Sequence, residues 1–150
     1  MIDRRQTLSK EERLSWKRHI DLLFAEGRSF ISFPLRVVYL PVEEKELPSR
    51  VAIMASVPKK KFKRANKRNL IKRQIRESYR IHKYDLIDPL QEKGTSMLVA
   101  FLYVDKEIRS FAEIEKSMIK ALKALKDKCR NSSPTSCYCR YIFISILFHP

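Results

Sequence analysis

Apolar residues recur with helical spacing in three stretches of the chain and with strand-like density in three others. The first helical stretch spans 9–26: Ser9 followed three residues later by Glu12 fits a capping box, and Leu14, Ile20, Leu23 and Phe24 form an apolar stripe. Gly27 stands where a helix C-cap belongs. FPLRVVYL (33–40) and RVAIMASV (50–57) have the β-branched content of strands. A polar, acidic segment with prolines at 41 and 48 separates them, and together they predict an antiparallel pair. A second helix covers 64–82. SMLVAFLYV (96–104) is too continuously apolar to be anything but a buried strand, entered through a turn at Gly94. A last amphipathic helix over 110–126 gathers Phe111, Ile114, Met118, Ala121, Leu122 and Leu125 on one face. The order helix, two or three strands, helix, strand, helix is an α+β layout, one sheet whose apolar surface needs helices to cover it. Residues 1–126 read as the folded domain. Residues 127–150 pass from a Ser/Pro-rich stretch to a short apolar run and read as a flexible C-terminal tail.

Composition adds a partner class. A chain of 150 residues that is 44% hydrophobic and 10% aromatic can fill one core. Its 32 basic and 17 acidic residues leave a net charge of +15, more than solubility requires, and favour a polyanion. Nucleic acid leads and an anionic membrane follows. The polar start of the sequence resembles no secretory signal, and no apolar run approaches the ~20 residues of a membrane span. The expectation is a soluble, cytoplasmic protein with no membrane partner and no obligate protein partner. The three cysteines, Cys129, Cys137 and Cys139, all lie near the C-terminus and exclude a disulfide framework for the body of the fold.

The charge is focused. Between Lys59 and Lys83 stand twelve lysines and arginines against the single acid Glu77. On a helical wheel Ile71, Ile75, Ser78, Tyr79 and His82 share one side, while Asn69, Lys72, Arg73, Arg76 and Arg80 share the adjacent one. A solvated basic helix is the plain alternative, but such helices usually intersperse acids at i,i+4. Here Lys72, Arg76 and Arg80 follow one another at that spacing and read as unpaired. Arginines at 68, 73, 76 and 80 suit bidentate phosphate contacts, and Asn69 suits a base edge or a 2′-hydroxyl. Lysines 59 to 63 are point charges on the approach.

These residues carry a resemblance. ASVPKKKFKRANKRNLIKRQIRESYR is similar to the signature of the bacterial ribonuclease P protein component, a strand ending in Ser-Val, paired lysines, then an Arg-Asn-x-x-Lys-Arg-x-x-Arg-Glu helix. Arg68, Asn69, Lys72, Arg73, Arg76 and Glu77 match, and Phe24, Gly27 and Ser29 match in the N-terminal helix region. Lys61 and Phe62 with an extra residue, and Leu70 in place of an arginine, depart from the pattern. The resemblance implies an α-β sandwich in the order helix-strand-strand-strand-helix-strand-helix. It also implies a central, mostly antiparallel sheet and a left-handed crossover around the basic helix, where general rules favour the right-handed form. It further implies docking on the catalytic RNA through Arg64, Arg68, Asn69, Lys72, Arg73, Arg76 and Arg80. A cleft for the 5′ leader of precursor tRNA is implied at Phe24, Arg36, Tyr39, Lys60 and Lys63. Phe24 and Tyr39 are equally open to reading as core residues, since strand and helix aromatics are usually buried.

The sequence offers no cluster of carboxylates for two metals and no paired histidines, so protein-borne hydrolysis is not expected. The resemblance agrees: the RNA subunit would cut, with Mg2+ bound through the RNA and none by the protein alone. Cys129, Cys137, Cys139 and His149 invite a zinc reading, but Cys-x-Cys lacks the usual gap of structural sites. A ribosomal protein or RNA chaperone would show the same focused charge. A DNA-binding module fits less well, because strands rather than a helix-turn-helix partner precede the basic helix.

Overall fold

The computed structural model describes residues 6–131 apart from 44 and 46. Helix α1 (Lys17–Glu26) leads into strands β1 (Arg28–Ser32), β2 (Leu35–Glu43) and β3 (Val51–Ser56). Helices α2 (Ala65–His82) and α3 (Tyr84–Lys93), strand β4 (Thr95–Tyr103) and helix α4 (Phe111–Asn131) follow. The four strands form one sheet in the order β1-β2-β4-β3, antiparallel at the first two pairings and parallel at β3–β4.

The expected antiparallel pairing of 33–40 with 50–57 does not form, because β4 lies between them. Its position follows from its composition. Met97 to Phe101 are all buried, so this strand has apolar residues on both faces and belongs in the sheet interior. Pro41 is accommodated in β2 beyond the last pairing with β1, Arg28↔Tyr39, where β2 has only β4 beside it.

Alternation along the strands builds two cores. Leu35, Val37, Tyr39, Ile53, Val99 and Phe101 face the layer of α2, α3 and α4. Val38, Leu40, Ala52, Leu98 and Ala100 face the opposite way, where Leu23 of α1 and Leu14 cover them. Helix α3 has no counterpart in the expected order; Pro89 lies inside it and costs one backbone bond. Burial of Leu86 and Leu90 holds it in place. Gly94 ends it in the left-handed conformation, φ 64°. Helix α4 continues past residue 126 to Asn131, and Cys129 packs into the core.

The N-terminal segment also departs from expectation. Ser9 and Glu12 make the reciprocal bonds of a capping box: the Ser9 N–H donates to Glu12 Oε2 at 2.8 Å, and the Glu12 N–H to Ser9 Oγ at 3.4 Å. No helix follows until Lys17. The chain instead runs along the β3 edge, where Ile53 donates to the Glu12 carbonyl and accepts from the Leu14 N–H, both at 2.8 Å. Glu12 is committed elsewhere. Lys83, between α2 and α3, donates to its carboxylate at 2.9 and 3.3 Å and to the Thr7 carbonyl at 2.7 Å. Both side chains are buried, so each charge depends on the other.

Candidate nucleic-acid interface

Helix α2 realises the two-sided pattern. Ile71, Ile75, Ser78 and Tyr79 are buried against the sheet layer, and Tyr79 lies 6.1 Å from Phe101, ring centroid to centroid. Burial holds the Tyr79 phenol far above its ordinary range, keeping it neutral. Asn69, Arg73 and Arg76 are exposed and Lys72 is half-buried on the adjacent side. Among the described residues Arg73 and Arg76 have no acidic partner.

Two of the sequence-predicted arginines are engaged within the protein. Arg80 is not unpaired. Its Nε donates to Glu77 Oε2 at 3.0 Å and its Nη1 to the Gln6 carbonyl at 2.5 Å. The hydrogen-bonded pairing of Arg80 with Glu77 holds the Glu77 carboxyl below its usual range and raises the guanidinium further. The run of like charge at i,i+4 had hidden this i,i+3 pair. Arg68 Nη1 donates to the carbonyls of Phe62 and Lys63, at 2.7 and 2.8 Å. It thereby braces the turn that delivers the chain into α2, leaving Arg64 exposed at the N-cap. Phe62, the departure noted in sequence, anchors that turn: it is 5% exposed and packs on Tyr103. Lys61 reaches the Val104 carbonyl, while Lys60 and Lys63 are exposed. Leu70 is an exposed hydrophobic residue.

The five leader candidates do not form one group. Phe24, on the last turn of α1, is 48% exposed and belongs to the α1 side of the sheet. Arg36 shares that side: it alternates with Val37, is exposed, and donates to Ser29 Oγ at 3.3 Å. Tyr39 lies on the opposite side, 3% exposed, edge-on to Phe30 with Lys128 over its ring. It is a core residue and is not presented with Phe24. The strand register sets Ile31, Arg36, Leu102 and Ser56 in one row across the sheet. Ile31 is 71% exposed, and the turn bearing Lys60 and Lys63 begins just after Ser56. This row, exposed at Ile31 and Arg36, forms a shelf on the α1 side of the sheet, the side to which Phe24 belongs.

Sequence reasoning missed Arg13. This residue, carried along the β3 edge, joins Arg73, Arg76 and Arg80 around a groove of about 500 Å³, completed by Gln6, Thr7, Leu8 and Glu77. Only the edge pairing of residues 12–14 brings it there, and no periodicity announces that pairing.

Catalytic groupings are a different matter. His82 is paired with Glu115 at 2.9 Å, joining α2 to α4, and His19 stacks on Trp16. Among the described residues no three His, Cys, Asp or Glu side chains are grouped to hold a metal ion, and no helix is long and apolar enough to cross a membrane. The Cys129 thiol is pushed up to about 11 by burial, slightly offset by Lys93, which disfavours the thiolate a zinc site needs. Cys137, Cys139 and His149 lie outside the described residues.

Fold and site together define a class: a small α+β protein that offers fixed cations on a sheet-anchored helix. Comparison with known proteins identifies the family. The Ribonuclease P family model matches residues 8–126. The ribonuclease P protein component of Porphyromonas gingivalis strain W83 is 43% identical over 115 residues, covering 77% of this chain and 83% of that protein. The fold is similar to solved RNase P proteins. For that of Staphylococcus aureus the TM-score is 0.58 at 24% identity, covering 77% of this chain and 95% of that one. For that of Thermotoga maritima the TM-score is 0.60 at 22% identity, covering 75% and 96%. The chain belongs to the ribonuclease P protein component family, subunits of an endoribonuclease holoenzyme whose general role is 5′ processing of tRNA.

Proposed function

We propose that this chain docks on the catalytic RNA of ribonuclease P through the exposed side of α2 and holds the 5′ leader of precursor tRNA on the shelf beside Phe24. The observation that carries this reading is the pair Arg73 and Arg76, exposed cations without acidic partners among the described residues, on a helix whose other side is buried. Fixed cations gain phosphate contacts without first breaking internal ion pairs, and they release counterions from the RNA. Asn69 and Lys72 extend the surface, with Arg64 at its N-terminal end. Arg68 and Arg80 contribute through the turn and the N-terminal segment they brace. On the shelf, Phe24 stacks on a base while Arg36, Lys60 and Lys63 follow the backbone. Magnesium ions bound through the RNA would supply the activated water. The protein's residues bind, orient and reduce phosphate repulsion.

Purified chain added to its cognate RNA subunit should stimulate 5′ maturation of precursor tRNA, most strongly at low magnesium. Normal RNA binding without stimulation would replace this reading with a purely structural RNA-binding role.

A further inference from the structure

The geometry points to a second base-binding site. We infer that the recess beside Trp16 takes one unpaired base of the RNA strand whose phosphates lie along the α2 arginines. The source of that strand rests on the docking reading above.

Trp16 immediately precedes α1 and is 62% exposed. Its ring stacks on that of His19, with centroids 5.3 Å apart and planes at 19°. His19 is only 7% exposed, so it backs the indole with a buried ring. Beside the pair lies a recess of about 180 Å³ walled by Leu14, Leu47, Pro48 and Ala52. Lys10 and Arg13 stand at its border, with Glu11 the one acid among the described residues that line it.

Arg13 links this recess to α2. It borders the groove of Arg73 and Arg76, and it borders a smaller cavity, shared with Arg76, over Ile53 and Met54. The three recesses follow one another around the β3 edge, from the α2 side of the sheet to the α1 side. A single strand fits what they offer: cations spaced along a path, ending at an apolar recess with an exposed aromatic face. A duplex keeps its bases stacked inside and cannot fill the recess. An acidic peptide satisfies the cations but gains little from the indole. The recess is small enough that the sugar and phosphate stay outside, at Lys10 and Arg13. The site is separate from the Phe24 shelf, which lies over the Arg36 row, whereas this one lies over Ala52.

Trp16 is the chain's only tryptophan, so fluorescence excited selectively at the indole reports this recess alone. Full-length protein is titrated with a short oligoadenylate and with an abasic oligomer of equal length, occupancy being followed by the anisotropy of a terminal dye. Oligoadenylate should quench Trp16, and the abasic oligomer should not at equal occupancy. Trp16→Ala should weaken oligoadenylate binding by roughly 5- to 100-fold with an unchanged salt slope, and Trp16→Phe should retain most of the affinity. Equal quenching by both oligomers, no quenching at saturation, or wild-type affinity for Trp16→Ala overturns the site. The quenching arm uses unaltered protein and is independent of how the variants fold. Arg76→Ala, measured against the RNA subunit, separates the two ideas. A lowered salt slope with a silent Trp16 removes only the base site, and an unchanged slope removes the docking reading.

Discussion

Gly27 is required by space and not by conformation. Its φ of −65° and ψ of 149° suit any L-residue. A Cβ there would stand 2.1 Å from the Leu23 carbonyl oxygen and 2.9 Å from Val38 Cγ1. The same carbonyl accepts the Gly27 N–H at 2.8 Å, so the end of α1 is clamped onto β2 with no room for a methyl group. Gly27→Ala should therefore cost about 2 kcal/mol or more, seen as a lower urea midpoint with an unchanged m-value. The sequence located this glycine correctly at a helix end, but the reason differs from the left-handed cap that Gly94 supplies. A contact with Val38 is tertiary, and no local pattern encodes it.

The N-terminal segment and α2 depend on one another. The buried Glu12–Lys83 pair spans 71 residues of sequence and joins the strand-edge segment to the α2–α3 junction. Lys83→Met would leave the Glu12 carboxylate buried without its cation, and the expected loss is about 3–5 kcal/mol. Glu12→Leu combined with Lys83→Met should recover much of it, since an apolar pair needs no compensating charge. Thermal or urea unfolding of the two variants checks both statements. The buried side of α2 was legible, because Ile71, Ile75 and Tyr79 recur at helical spacing and nothing competes with them. Ser9 and Glu12 were legible as a hydrogen-bonded turn but not as a turn without a helix. What replaced the helix was a strand edge and a distant lysine, neither of which lies in the local window.

At the scale of the whole molecule, the sheet keeps two candidate surfaces apart. The Arg73/Arg76 groove opens beside the β3 edge, while Phe24 and Arg36 lie over the β2 end of the opposite side. Arg76→Ala should weaken RNA-subunit affinity and lower its salt slope by roughly 0.7 to 0.9, one phosphate contact. Phe24→Ala should leave that affinity unchanged and penalise precursors with long leaders. Equal effects of each substitution in both assays would merge the surfaces. Of the site, the charge and the docked side of α2 were readable from sequence. That Phe24 and Tyr39 lie on opposite sides of the sheet was not, because side-chain direction depends on register, and Tyr39 turns to the helix-rich side beside Phe30 of the neighbouring strand. The strand order was hidden for a related reason. Continuous burial of β4 signals an interior strand, but not which neighbours it takes.

The parallel pairing of β3 with β4 has a kinetic corollary. Ser56 and Leu102 meet only after the whole of α2 and α3 has been laid across the sheet. Closure of so long a segment is entropically slow, and the antiparallel β2–β4 pairing spans a longer one still, so β4, apolar on both sides, takes both of its neighbours through distant closures.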